Sequence, residues 1–379
     1  MVSIIFCGLI FATNTGALSV ATAQADIDLQ AKSALLMDWT TGTVLFEKNP
    51  HQKLPMASIT KVMTVLLTLE AIERGEISLE DPVEVSRYAA GMGGSTVFLA
   101  KGEVFPVSTM LKAVIMASAN DASVALAEKI AGSHQGFVDK MNERAKQLGM
   151  INTNFKNSHG LPSEGQASTA YDVALMSSQL VRHPLFFKWS TTWLDYMRDE
   201  KTMIVNTNRL VRFYDGCDGI KTGFTSEAGH CVAASAVRDN MRLISIIMSA
   251  PNSKIRFAEA AKLLDYGFAN YKLMPVVQSG QVIRQGVLVL GGKETKIDGL
   301  VGKSISLLAK TGEKYDFKQE VEMESKLYAP IQKGQKIGSL LILKDGKTVS
   351  QTDIEADRDV AVAGVFDYLK RIFRLWLKV

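Results

Sequence analysis

The sequence predicts an α+β domain over residues 26–272, a small all-β sandwich over 273–356 and an amphipathic helix over 357–379. Three observations predict it. Short alternating apolar runs stand at both ends of 26–272 with helical spacing between them. Beyond Leu273 the helical spacing gives way to short strands parted by Gly-rich turns, and the last stretch sets apolar and cationic residues on opposite faces. Strands from both ends of a segment that encloses helices imply one sheet joining its termini.

Residues 1–25 carry no charge, and Ala23-Gln24-Ala25 has the small-x-small pattern of a signal peptidase site before Asp26. Export is therefore expected, although the Lys or Arg that should open a signal peptide is missing. Ala34–Asp38 and Thr43–Phe46 read as two strands about a Thr41-Gly42 turn. From Ser58 to Arg74 the pattern is helical, with Val62, Leu66, Leu69 and Ile72 on one face and Gly75 as the stop. Pro106 to Ile130 reads as a helix with proline in its first turn, interrupted by polar Ser118 and Asn120. Residues 168–182 form a third helix. Gly219–Thr225, Cys231–Val237 and Arg242–Met248 then read as an antiparallel meander closed by a helix over Phe257–Phe268.

In the β region the runs are Val287–Leu290, Ile305–Leu308 and Leu340–Leu343, with turns at Gly291-Gly292 and Asp345-Gly346. At the C-terminus Val365, Leu369, Ile372, Phe373 and Trp376 oppose Lys370, Arg371, Arg374 and Lys378. Such a helix suits the interface of an anionic bilayer; the alternative is a helix docked on the body of the protein.

Composition is that of a globular protein, 47% hydrophobic and 22% charged over 379 residues. A formal charge of +4, with no RNP, zinc-finger or basic-arm pattern, argues against nucleic acid. Without CxxC, HExxH or a Cys/His cluster, neither a metal nor another cofactor is expected. Cys7 lies in the leader. Cys217 and Cys231 could be bridged, but small neighbours such as Ala233 and Ala234 favour two buried thiols.

Chemistry concentrates in three places. Ser58-Ile59-Thr60-Lys61 puts a hydroxyl and an ammonium three apart at a helix start, on one face. A serine needs a base, and lysine can serve if burial and a nearby cation hold its pKa down. A capping serine and an ordinary lysine are the alternative, but no other S-x-x-K occurs in the chain. Ser118-Ala119-Asn120 is either an N-cap or surface turn, or a proton-relaying hydroxyl beside an amide that holds lysine and substrate. Lys221-Thr222-Gly223, followed by Phe224, offers a cation, a hydroxyl and a close backbone approach. The copy at Lys310-Thr311-Gly312 lies in the β region and reads as a turn.

In this order the three motifs resemble the S-x-x-K, S-D-N and K-T-G set of penicillin-binding proteins and class A β-lactamases. The stretches Pro55–Thr64, Ser118–Ala122, Ser158–Leu161, Asp218–Gly223 and Ile255–Phe257 further resemble the low-molecular-mass penicillin-binding proteins, D-alanyl-D-alanine carboxypeptidases of the penicillin-binding protein 5 type. That resemblance implies a transpeptidase-like fold, an antiparallel sheet with helices on its faces and a helical subdomain. It also implies roles. Ser58 would be acylated and Lys61 would be its base. Ser118 with Lys221 would pass a proton to the leaving D-alanine, and Asn120 would orient the peptide. Thr222 and Arg256 would fix the terminal carboxylate, the N–H groups of Ser58 and Phe224 would form an oxyanion hole, and Gly223 would admit the substrate strand. His159 and Arg209 fall at positions the family places near the cleft, with a loop histidine and a surface arginine as alternatives. Ala119 departs from the Asp of the pattern at a position whose side chain is not asked to do chemistry.

The implied function is removal of the terminal D-alanine from peptidoglycan pentapeptide stems, with β-lactams as acylating inhibitors, at the periplasmic face of the cell membrane, on whose inner-membrane surface the C-terminal helix would anchor the protein. Glu164 is followed four residues later by Ser168, so the E-x-x-x-N arrangement of a class A β-lactamase is missing. Endopeptidase or transpeptidase action would use the same residues. A non-catalytic wall-binding protein is the alternative of another class.

Overall fold

The computed structural model describes residues 27–313 and 316–376. The expected leader, 1–25, lies outside the described residues. Five strands form the central antiparallel sheet: β1 (Ser33–Asp38), β2 (Val44–Lys48), β3 (Cys217–Thr225), β4 (Gly229–Arg238) and β5 (Met241–Ala250), in the order β2-β1-β5-β4-β3. The two ends of the domain meet where β1 pairs with β5, Ser33 opposite Met248 and Asp38 opposite Leu243.

Because side chains alternate across a strand, β1 and β5 feed two cores at once. Leu35, Ile244 and Ile246 enter the core on one face; Leu36, Leu243 and Ile247 enter that on the other, where they meet Leu263 and Leu264. Both faces are covered, so β5 reads as a nearly continuous apolar run. Leu263 and Leu264 belong to the closing helix, Ser253–Asn270, capped by the Asn252 side chain.

The helix after Ser58 differs from its expected one-faced character. It opens as a 3-10 turn, Ala57–Thr60, and continues as α1, Lys61–Glu73. Val62, Met63, Val65, Leu66 and Leu67 are all buried, so the helix is apolar around its circumference and central to the domain. Gly75, at φ +71, ends it as expected.

The single helix expected over 106–130 is in fact two. Pro106 ends a short strand and caps α2, Val107–Lys112, rather than standing inside its first turn. One π-helical turn follows, Ala113–Ala117, and Ser118 breaks the chain in the left-handed region at φ 62 and ψ 30. A new helix, α3 (Asn120–Ala131), then begins. A widened turn before a functional residue is a common use of π geometry. Elements that went unforeseen include the helix His134–Gln147, capped by Ser133, and the hairpin of Leu194–Met197 with Thr202–Val205. The helix expected over 168–182 spans Ala170–Leu180, capped by Thr169.

After Asn270 the chain passes directly into strand Tyr271–Val277, which pairs with Ile305–Lys310. A six-stranded sheet packs with this pair around Val289, Ile297, Leu307, Leu340 and Ile354. The second Lys-Thr-Gly is a strand end and turn, with the Thr311 N–H donating to the Asn270 carbonyl. The terminal helix spans Val365–Trp376. Lys378 lies outside the described residues.

Candidate active site

Ser58 sits on a backbone clamped from two sides. Ala57, just before it, adopts φ +47, a conformation a side chain tolerates only when its surroundings impose it. Gly160 presses on the Ala57 carbonyl so closely that an added Cβ would lie 2.0 Å from its oxygen. From the other side β3, the edge strand, brings in Gly223, where a Cβ would lie 2.8 Å from the Met56 oxygen and 3.1 Å from the Ser58 nitrogen. Only glycine at both positions allows the three segments to meet.

Lys61 is wholly buried, and its Nζ is the hub of the site. It donates to Asn120 Oδ1 and to the His159 carbonyl, both at 2.6 Å, and lies 3.0 Å from Ser58 Oγ. The first two partners can only accept, so they consume two N–H donors. The third direction, toward Ser58, holds the last N–H of an ammonium or the lone pair of a neutral amine. Burial, and after it the charge of Lys221, hold the Lys61 pKa well below the usual lysine range, while Asp121 opposes them. The lone pair is therefore accessible at lower pH than in a solvated lysine, and it points at the hydroxyl.

Asn120 is fixed in turn: its Nδ2 donates to the Gly93 carbonyl and its backbone N–H to the Ser95 carbonyl, each at 2.7 Å. Neither Ser118 nor Asn120 is a surface turn, being 4% and 2% exposed. Ala119, at the position where the motif varies, is buried in the core and precedes the first helical residue.

Lys221, on β3, is 3% exposed and donates to the Thr222 carbonyl at 3.1 Å. Burial, then the Arg256 charge, lower its pKa to about 7. The Thr222 hydroxyl donates to Thr207 Oγ1 at 2.9 Å. Arg256 donates to the Gly223 carbonyl at 3.0 Å, and its pKa falls to about 10, mainly through burial, with Arg209 adding to the effect. Arg256 Nε is buried without a partner. Phe224 contributes backbone; its ring is exposed and stacks on His230 at 4.3 Å. Lys61, Lys221, Arg256 and Arg209 thus follow one another as basic groups, each disfavouring the charge of the one before it through repulsion, and the first three are desolvated. An anion at the Thr222–Arg256 end would relieve that repulsion.

His159 is buried and neutral, its pKa brought to about 3 by burial, then by Lys61 and His134. Its Nδ1 accepts from the Leu161 N–H at 3.2 Å, and its carbonyl is what touches Lys61. Arg209 is exposed; with Thr207, Phe213 and Arg256 it lines a cavity of about 580 Å³. Cys217 and Cys231 are free and buried, each thiol pushed up by burial.

Sequence reasoning missed the supports. Asp121 and Asn157 stand beside noticed residues, but their partners are not adjacent in sequence. The Asp121 carboxylate accepts from the N–H groups of Val97 and Leu99, and Asn157 Oδ1 accepts from that of Gly160 at 2.6 Å. For Gly93 and Ser95 the only signal was a Gly93-Gly94 turn with nothing to place it near Ser58.

A serine whose hydroxyl meets a buried lysine beside the edge strand of a helix-flanked antiparallel sheet defines an active-serine acyl-transfer site. Comparison with known proteins narrows the class: the chain belongs to the D-alanyl-D-alanine carboxypeptidase family, whose profile matches residues 19–252, and residues 271–362 match the C-terminal domain of penicillin-binding protein 5. It is similar to D-alanyl-D-alanine carboxypeptidase DacF of Bacillus subtilis (strain 168), 43% identical over 98% of this chain and 96% of that protein. DacC of Escherichia coli (strain K12) is 34% identical over 92% of this chain and 90% of its own. Among solved structures, penicillin-binding protein 5 from Haemophilus influenzae superposes with a TM-score of 0.74 at 33% identity, over 88% of this chain and 98% of that one. Penicillin-binding protein D2 from Listeria monocytogenes in an ampicillin-bound form gives 0.59 at 32%, over 64% of this chain and 99% of the other.

Proposed function

We propose that this chain is a serine D-Ala-D-Ala carboxypeptidase that trims the terminal D-alanine from peptidoglycan pentapeptide stems and is acylated by β-lactams at the same serine. The observation that carries the reading is the Lys61 hub, a lysine buried and depressed in pKa with its one free direction on Ser58 Oγ. Ser58 Oγ attacks the carbonyl of the penultimate residue while its proton moves to Lys61 Nζ. The N–H groups of Ser58 and Phe224 receive the developing oxyanion. Breaking the peptide bond needs a proton on the departing D-alanine nitrogen; Lys221, through Ser118, supplies it. Thr222 and Arg256, with Arg209 at the rim, take the terminal carboxylate, and Asn120 aligns the peptide. Water then cleaves the Ser58 ester, releasing the shortened stem.

The test is a labelled penicillin. Native protein should acquire one covalent label at Ser58, and Ser58→Ala none. Undiminished labelling of Ser58→Ala would sink the reading, as would a native protein that releases no D-alanine from an acyl-D-Ala-D-Ala peptide.

Residues 357–379 are assigned to peripheral attachment at the periplasmic face of the cell membrane, following export directed by 1–25. Supporting this, Val365, Phe366, Leu369, Ile372, Phe373 and Trp376 are exposed, while Arg371 turns to the β region and donates to the carbonyls of Gly292 and Lys293. Among the described residues no helix is long and apolar enough to cross a membrane. Removing 357–379 should abolish binding to anionic lipid vesicles without loss of D-alanine release; retained binding would shift the anchor elsewhere. In the same scheme 26–272 is the catalytic unit and 273–356 a separate β unit.

A further inference from the structure

Phe98 is the most anomalous residue near the site. Its side chain is 84% exposed, and its backbone lies in the left-handed region at φ +55. Both features are unfavourable for an aromatic residue: the ring gains nothing from burial, and bulky side chains avoid that backbone region. They persist because the flanking peptides are tied down. Buried Asp121 accepts from the N–H of Val97 at 3.1 Å and from that of Leu99 at 3.0 Å, one on each side of Phe98. From the opposite direction the Arg198 guanidinium donates to the carbonyls of Val97 at 2.9 Å and Phe98 at 3.0 Å, and is itself paired with Glu103. Four hydrogen bonds thus hold a strained turn whose one visible product is an aromatic ring pushed into solvent.

That turn is continuous with the catalytic site. Asp121 directly follows Asn120, and Ser95, three residues before Phe98, accepts the Asn120 N–H at 2.7 Å. Three residues reach at most about 10 Å, so the left-handed turn keeps the Phe98 backbone within that distance of Ser95. The part of a pentapeptide stem upstream of its last two residues covers a similar span from the scissile bond, about 10 Å for three residues. We infer that Phe98 is a substrate-binding residue, an aromatic platform against which the apolar atoms of the stem upstream of the D-Ala-D-Ala unit pack. This rests on the carboxypeptidase reading above and adds to it a determinant of preference for long stems over minimal dipeptides. Reading the ring as a docking point for another protein gives no reason for coupling it to Asn120.

Phe98→Gly is the informative variant, because glycine accepts φ +55 without strain and the turn is kept while the ring is lost. For the native protein, kcat/KM would be measured on a diacylated Lys-D-Ala-D-Ala tripeptide and on a full pentapeptide stem, with the acylation rate by a small penicillin alongside. The expected result is about a three- to tenfold loss on the pentapeptide, carried by KM. Penicillin acylation should be unchanged and the effect on the tripeptide smaller, while Phe98→Tyr should restore native values. Equal kcat/KM of Phe98→Gly and native protein on the pentapeptide would overturn the inference, and so would an equal loss on every substrate and on penicillin. If the native protein itself turns over neither peptide, the underlying carboxypeptidase reading fails instead.

Discussion

At the scale of single residues, the site lowers the cost of deprotonating a lysine and holds a serine still. Since burial and Lys221 lower the Lys61 pKa, the base is competent only above that lowered value. Acylation should therefore rise with pH along a limb lying well below 10.5 and flatten once Lys61 has lost its proton. In the proposed mechanism Lys221 has the opposite requirement, because its cationic form would be the proton donor, and its pKa of about 7 sets where that form is lost. A bound carboxylate favours the charged lysine, so the descending limb should sit at higher pH in kcat than in kcat/KM. Steady-state profiles on an acyl-D-Ala-D-Ala peptide check both signs; coincident descending limbs would remove Lys221 from the proton path. Gly160→Ala tests the clamp. With φ +88 and a Cβ 2.0 Å from the Ala57 oxygen, it should cost about 2–4 kcal/mol in denaturant unfolding and slow penicillin acylation. Ser58, Lys61, Ser118, Asn120 and Lys221 could be singled out from sequence because their spacing and order carry chemistry. Gly160 could not, because the atom it must avoid belongs to a distant turn.

Among the elements, regular periodicity was read well and local strain poorly. The β3-β4-β5 meander was legible because short spacings force antiparallel neighbours. The break at Ser118 was visible only as polarity inside an apolar run, since a π turn followed by a left-handed residue has no composition signal of its own. The helix His134–Gln147 was missed although Phe137, Met141 and Ala145 repeat every four residues, because charged residues outnumber them along its exposed side. Asp121 joins α3 to the 97–99 turn through backbone N–H groups, a link no sequence pattern announces. Asp121→Asn should therefore cost about 2 kcal/mol, the order of a lost charge-assisted bond at a buried site. It should also slow acylation by loosening Asn120. Denaturant unfolding and stopped-flow penicillin binding separate the two effects; an unchanged unfolding midpoint would show that the carboxylate is not what ties the turn.

For the molecule as a whole, every group assembled around Ser58 among the described residues lies between Met56 and Arg256, and the described β region supplies none of them. A protein ending at Asn270 should keep D-alanine release within about twofold of the full chain. It should also melt several degrees lower, because Tyr271, Leu273 and Leu308 complete the core under the closing helix. Loss of release in a folded fragment would give the β region a catalytic part. The overall α+β plus all-β division was readable because the spacing of apolar residues changes near Leu273, whereas the six-strand order was not, since strand neighbours far apart in sequence leave no local trace.

The pairing of β1 with β5 also governs when the enzyme comes into being. A chain made from its N-terminal end delivers Ser58 early, but the strand that clamps it and the partner of β1 arrive only with residues 217–250. Until then the serine is an ordinary hydroxyl on an unfolded polymer and its lysine an ordinary solvated cation. Reactivity is thus postponed by topology alone. An acyl-enzyme former built this way is silent while its chain is incomplete, and switches on where its sheet closes.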